Sequence, residues 1–497
     1  MSITLIVNAN IWGSEYDSLI IKDDVILRLG KEERLRRLFK GKVKIFDAGG
    51  RMLIPGLADA HLHLVSYAIN KGRLDLRGVS SIEELKELLR RRRLGEKSGK
   101  WIVGWGWDQE RFTEKRYPTK DDLDDALPDS PVILVRVCGH VAVANTLALK
   151  ILRLSSRDGL LYEDDVYKAL NSIPLPSFEE MTNAVKEAIK EAYSYGLTEL
   201  HLMSVETWEL GIYKRVLNTV PIRLKLFMRE PPTTYSEERL IDITGVKVFM
   251  DGSFGGRTAA LREPYSDDPN NKGKLLMDYK KLLELIKDVN RRGLKVAIHT
   301  IGDRALEEAL KAIKELSPGN SGIRLEHASL VPPDLLEELA TFKPGISVQP
   351  HFIISDSWIV ERLGRRAKWV YSYKSLIESG LLIAGSSDAP VEPLNPWYGV
   401  YAAVDRGEKE GLRIWHVTAE QRMGFNDALR LYINGKIMEG TYLSERIRPG
   451  MPADLALLNV SEEPRSVKEI KNIKSVLTII NGEVVYNRLA SGEETVL

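Results

Sequence analysis

Four short segments, far apart in the chain, each end an apolar run on residue types that bind metals. They are Gly56 to His63 (GLADAHLH), Val296 to His299 (VAIH), Ile323 to His327 (IRLEH) and Leu382 to Asp388 (LIAGSSD). A fifth run, Gly245 to Asp251 (GVKVFMD), puts Lys247 where a buried strand should be apolar. Imidazole and carboxylate groups at the tips of successive parallel strands are what a divalent metal site at the mouth of a barrel requires.

The spacing around these segments supports parallel strands. From about residue 280, apolar residues at helical spacing (Leu282, Leu285, Ile286, Val289) lead to Gly293 and then to a strand, Leu294 to His299. Asp303 is expected to N-cap the next helix, Pro333 to open another, and Tyr373 to Ser379 to form a third, with strands at Ile323 to His327, Gly345 to Val348 and Leu382 to Ser386. Gly196 to His201, Ile222 to Phe227, Val246 to Met250 and Leu53 to His61 complete eight strands. The expected fold class is therefore α/β, a TIM-type (β/α)8 barrel. Both chain ends look β-rich, with turns at Asp23-Asp24 and Asn481-Gly482. Residues 1–54 and 437–497 are read as one small β-sandwich domain built from both termini, and 55–436 as the barrel. About 66–178 is an inserted α+β segment near the barrel mouth, with a helix over Ile82 to Arg93 and a strand over Val132 to Val137.

Composition sets limits on partners. Among 497 residues, 71 are Lys or Arg and 70 are Asp or Glu, a balance that gives no electrostatic reason to expect nucleic acid or a membrane surface. The basic run Arg90 to Arg93 follows a helical pattern and reads as a solvated helix face. Cys138 is the single cysteine, so no intramolecular disulfide can form and a reducing, cytoplasmic setting is expected. The N-terminal apolar run is too short for a signal peptide, and no apolar run is long enough to span a bilayer. A small-molecule substrate is the expected partner, with a homodimer as the default assembly.

On a strand, alternate side chains share a face, so His61 and His63 point the same way and can share one ion. His299 and His327 are 28 residues apart, one strand–helix unit, and belong on neighbouring tips. Any one of these histidines alone would more often be a hydrogen-bonded core residue, and Asp388 alone a helix cap. Lys247 has two readings. It forms an ion pair with Asp251, or it is a buried neutral amine that adds carbon dioxide to give a carbamate able to bridge two cations.

These segments, together with Gly104 to Asp108, Gly139 to Leu149, Gly245 to Leu261 and Gly385 to Pro390, resemble the amidohydrolase superfamily, in particular its N-substituted formamide deformylase-like branch. The resemblance spans nearly the whole chain and implies a binuclear centre, most readily zinc. His61, His63 and Asp388 would bind one ion, His299 and His327 the other, and Lys247, carboxylated on its side-chain nitrogen, would bridge them. Such a centre yields a metal-bound hydroxide that attacks a carbonyl, with Asp388 moving the proton. The implied reaction is hydrolysis of a C–N bond in an amide, N-substituted formamide or cyclic amide, outside peptides. Alternatives are ester or lactone hydrolysis at the same site, or a non-catalytic scaffold. His140, Trp107, His201 and His351 are candidate substrate contacts, His201 equally a residue supporting the ligands; Cys138 and His416 read as structural.

Overall fold

The computed structural model describes residues 3–38, 43–94, 99–136, 141–162, 164–231, 240–316, 322–489 and 494–496. The chain divides into two compact units, Met1–Tyr67 with Val185–Leu497, and Ala68–Ala184.

The first unit holds eight parallel strands in sequence order: β1 (Leu57–Leu62), β2 (Leu197–Val205), β3 (Arg223–Met228), β4 (Ile241–Phe249), β5 (Lys295–Thr300), β6 (Ile323–His327), β7 (Gly345–Val348) and β8 (Ile383–Gly385). The segment after β8 returns to β1, where the Asp388 amide donates to the His61 carbonyl (2.7 Å) and the His63 amide to the Ala389 carbonyl (2.8 Å). Asp59 adds a side-chain tie, accepting from the Ser387 amide at 3.0 Å and from its hydroxyl. The strands thus form a nearly closed TIM-like barrel with its ligand-bearing ends gathered together.

The crossover helices follow from local chemistry. Asp278 caps Tyr279–Arg291 by accepting from the Lys281 amide, and the helix buries Leu282, Ile286 and Val289, the stripe that faces the barrel. Pro333 opens Pro333–Phe342 at its first position, where no amide is needed. Two expectations are corrected. Asp303 is the first helical residue of Asp303–Lys314, not its cap; Gly302 holds that position, and the Asp303 carboxylate accepts instead from the Arg262 amide. Leu53 to His61 is two strands, not one: Met52–Pro55 belongs to the small β domain and Leu57–Leu62 to the barrel. Gly56 makes the break, because a Cβ there would stand 2.3 Å from the Thr198 hydroxyl, while its amide donates to Asp454 (2.8 Å).

Both termini build the small β domain. One sheet runs Glu494–Val496, Lys44–Asp47, Ile3–Val7, Ser18–Lys22, Val25–Gly30; the other runs Asn10–Ile11, Met52–Pro55, Leu455–Leu458, Ser475–Ile480, Glu483–Asn487. Asn481 and Gly482 both adopt positive φ (52° and 77°), the tight hairpin that their dipeptide forecasts.

The second unit is a five-stranded sheet, Leu160–Tyr162, Val141–Ala144, Val132–Arg136, Ile102–Trp107 and Leu74–Asp75 in spatial order. One face packs on Ile82–Leu94 and Lys120–Ala126 through Leu85, Leu89, Phe112 and Leu123. Arg90 and Arg93 of the basic run pair with exposed Glu83, Asp125 and Asp129, a solvated helix face. No described helix of either unit is long and apolar enough to cross a membrane.

Candidate metal centre

Three ligand-type side chains converge where β1 meets the segment after β8. Asp388 Oδ1 lies 3.4 Å from His61 Nε2 and 3.3 Å from His63 Nε2. The other ring nitrogen of each histidine is already engaged: His61 Nδ1–H donates to Glu326 (2.6 Å) and His63 Nδ1–H to the Met203 carbonyl (3.0 Å). In the neutral rings those bonds keep the proton on Nδ1, which turns the Nε2 lone pairs toward a carboxylate oxygen. Three electron-pair donors therefore face one another within 4.8 Å, an arrangement that is repulsive until a cation occupies it.

His327 and His299 extend the cluster. The ring centroids of His61 and His327 are 4.9 Å apart, and those of His299 and His327 4.4 Å apart. His327 Nδ1–H donates to Gln349 (2.7 Å), which leaves its Nε2 free, and His299 Nε2–H donates to the Gly252 carbonyl (2.9 Å), which leaves its Nδ1 free. Burial, reinforced by the Lys247 charge, holds His61 and His327 well below the usual imidazole range and brings His299 to about 3, so these three rings are neutral ligand forms at neutral pH. Strict strand alternation would turn His327 away from the face shared by its neighbour Glu326. A φ of +72° at His327 re-aims it, and Asp388 likewise sits at +57°. Asp and His tolerate this region better than most residues, and strain of this kind gathers at functional sites.

Lys247 projects into the same interior from β4, 3 % exposed, and its Nζ has no hydrogen-bond partner among the described residues. Burial lowers its pKa to about 8, with Glu326 and Asp388 opposing that fall. The Lys247–Asp251 ion pair is not formed. Asp251 accepts instead from the amides of Ala260 (2.9 Å), Ile301 (3.1 Å) and Gly302 (2.8 Å), anchoring the loops after β4 and β5.

A buried ionic chain supports the cluster, and most of it escapes a reading for ligands. Arg324 pairs with Glu326 at 2.7 Å and with Glu439 at 3.0 Å. Its Nη1 also donates to His201 Nδ1 (2.9 Å), and His201 Nε2–H donates to Glu199 (2.9 Å). His201 is thereby occupied at both nitrogens and reaches the cluster through Arg324 and Glu326, the supporting position that was its other reading. The available signal was Arg324 and Glu326, two charges on one face of a short buried strand.

The remaining candidates are dispersed. Trp107, a candidate substrate contact, lies in the core of the second unit: it is fully buried, packs on Phe112 and Tyr117, and donates its indole N–H to the Leu134 carbonyl (2.9 Å). His351 follows β7 and pairs through Nδ1 with Glu392, beside the Tyr398 ring at 5.9 Å. His140 and Cys138 lie outside the described residues.

The donor set fits a divalent cation: neutral imidazoles with oriented lone pairs, one carboxylate, and an unpartnered buried amine beside them. Comparison with known proteins agrees. The amidohydrolase family model matches residues 44–486. The chain is 30% identical to the putative amidohydrolase YtcJ of Bacillus subtilis (strain 168), over 96% of this chain and 97% of that one. It is 20% identical to the N-substituted formamide deformylase of Arthrobacter pascens, over 98% and 99%. The crystal structure of an uncharacterized metal-dependent hydrolase from Pyrococcus horikoshii OT3 superposes with a TM-score of 0.81 at 34% identity, over 94% of this chain and 99% of that one. With a family model spanning most of its length and ligand-type residues gathered at the barrel mouth, this chain belongs to the amidohydrolase family of metal-dependent hydrolases.

Proposed function

We propose that the protein hydrolyses a C–N bond of a small amide-type substrate, N-substituted formamides and cyclic amides being the first classes to assay, and that its centre is binuclear. The observation that carries this reading is the convergence of the His61 and His63 lone pairs on Asp388, with the unpartnered Lys247 amine buried in the same interior. His61, His63 and Asp388 would hold one divalent ion, zinc being the first choice, and His299 and His327 a second. Such ions supply electrophilic assistance to a carbonyl and acidify water. With a pKa near 8, part of the Lys247 population is free amine at neutral pH. Its nitrogen would add to the carbon of carbon dioxide and release one proton, giving a carbamate that would supply anionic oxygen ligands to the centre.

Asp388 is the proton carrier in this scheme. It takes a proton from the attacking water and delivers it to the departing nitrogen, turning a poor amide leaving group into a neutral amine. Its backbone is pinned to β1, which keeps the carboxylate in place between those two steps. Glu326 and Gln349 hold the tautomers of His61 and His327 throughout. The relative named as an N-substituted formamide deformylase supports the substrate class at 20% identity.

The test is a matched panel of N-substituted formamides, cyclic amides, esters and lactones, assayed with zinc-loaded protein before and after chelation. Amide-type turnover that chelator abolishes and zinc restores is the expected result. Turnover confined to esters and lactones would replace the C–N assignment, and turnover indifferent to chelation would remove the metal from it.

A further inference from the structure

The second unit, Ala68–Ala184, carries a half-open cavity of about 400 Å3 lined by its own residues, within the size range of small-molecule sites. Its walls are largely apolar, with Trp101, Val103, Leu170 and Met181 among them. Among the described residues that line it, the charged ones are Arg73, Arg92, Lys100 and Glu180. Glu180 is already committed, pairing with Lys100 at 2.8 Å and accepting from the Ser177 amide and hydroxyl at 2.9 Å each. Arg92 donates to the Gly72 carbonyl (2.7 Å). The Arg73 guanidinium has neither a hydrogen-bond nor an ion-pair partner among the described residues, although it is partly buried. Burial alone pushes its pKa below the usual arginine range, with no carboxylate acting against that fall.

A partly buried guanidinium at the edge of an apolar-walled cavity gains from meeting an anion there, and its planar fork matches a carboxylate in two parallel hydrogen bonds. We propose that this cavity is a binding site for a small organic carboxylate with an apolar body, its head on Arg73 and its tail against the Trp101 and Leu170 side. Both halves of the ligand are required. A bare anion leaves the apolar wall wet, and a neutral apolar molecule leaves the guanidinium without a counter-charge. The site is separate in residues from the metal-ligand cluster and rests on none of the chemistry proposed there.

Calorimetric titration of the full-length protein with octanoate, octanol and acetate tests this. Octanoate is expected to bind one site per chain, more tightly than either control and more weakly as salt is raised. Arg73→Met, which keeps the length of the side chain and removes the charge, is expected to weaken octanoate roughly 10- to 100-fold, the range of a charge-assisted pair. Ala184→Trp, which fills the cavity and leaves Arg73 intact, should abolish binding, with circular dichroism confirming the fold of both variants. Octanoate bound at the metal centre would survive both substitutions. That result, or no saturable binding to the unaltered protein, would overturn the proposal.

Discussion

Asp388 combines a backbone and a side-chain requirement at one position. Its φ of +57° excludes most side chains, and its carboxylate faces two histidine lone pairs. Asn tolerates the same backbone and has nearly the same shape, so Asp388→Asn isolates the charge. It should lower turnover by roughly 10²- to 10⁴-fold, the range for a lost general acid–base, with an unchanged circular dichroism spectrum. Activity close to that of the unaltered protein would assign the proton to another group. Glu326 acts one bond further out. Glu326→Gln replaces the anion that orients His61 and should weaken metal binding about 10- to 100-fold in a competitive chelator titration. The fold should survive, because Arg324 keeps its 3.0 Å pairing with Glu439. Metal affinity unmoved by that change would reduce Glu326 to a packing role.

At the scale of elements, apolar runs ending in His or Asp were legible because burial and ligand chemistry leave different residue types side by side. Val296 to His299 and Leu382 to Asp388 show this plainly. Less legible was whatever depends on a distant partner. Leu53 to His61 reads as one run in sequence, since nothing local says that Gly56 must clear Thr198 on β2. Trp107 alternates with glycines as a pocket aromatic could, but its partners Phe112, Tyr117 and Leu134 come from elsewhere in the inserted unit. The Arg324–Glu326 pair carries a local signal, yet its meaning depends on His61 of β1 and Glu439 near the end of a distant helix. The Gly56 contact can be tested directly. Gly56→Ala should destabilise by roughly 1–3 kcal/mol in chemical denaturation, as overpacking does, and Thr198→Ala in the same chain should restore part of that loss. Equal destabilisation with and without the Thr198 change would show that backbone freedom, not the close approach, makes glycine necessary.

For the first unit as a whole, one buried carboxylate joins the barrel to the small β domain. Asp454 precedes strand Leu455–Leu458 and pairs with Arg223 of β3 and with Lys436, both at 2.7 Å, while the Asn481 amide of the hairpin donates to it at 2.8 Å. Burial alone would raise its pKa, but Lys436 and Arg223 outweigh that and bring it to about 2. A carboxylate depressed from 3.8 stabilises the folded state above its ordinary pKa, by about 2 kcal/mol, and loses that contribution as pH falls through about 2. Unfolding free energy measured between pH 6 and pH 2 should therefore fall less steeply below pH 4 in Asp454→Asn than in the unaltered protein. The variant should also be less stable at neutral pH by roughly 3–5 kcal/mol, because Lys436 is left buried without its partner. Identical acid slopes would place the acid sensitivity elsewhere.

The metal centre at the barrel mouth is tested most directly by the metal content of the purified chain. Protein produced with zinc and dialysed with bicarbonate should carry about two equivalents per chain by elemental analysis. Lys247→Ala should lower that content, and His61→Ala with His63→Ala should lower it further. A chain that binds no divalent metal under these conditions, and gains no hydrolytic activity when metal is added, would contradict the assignment of His61, His63 and Asp388 as ligands.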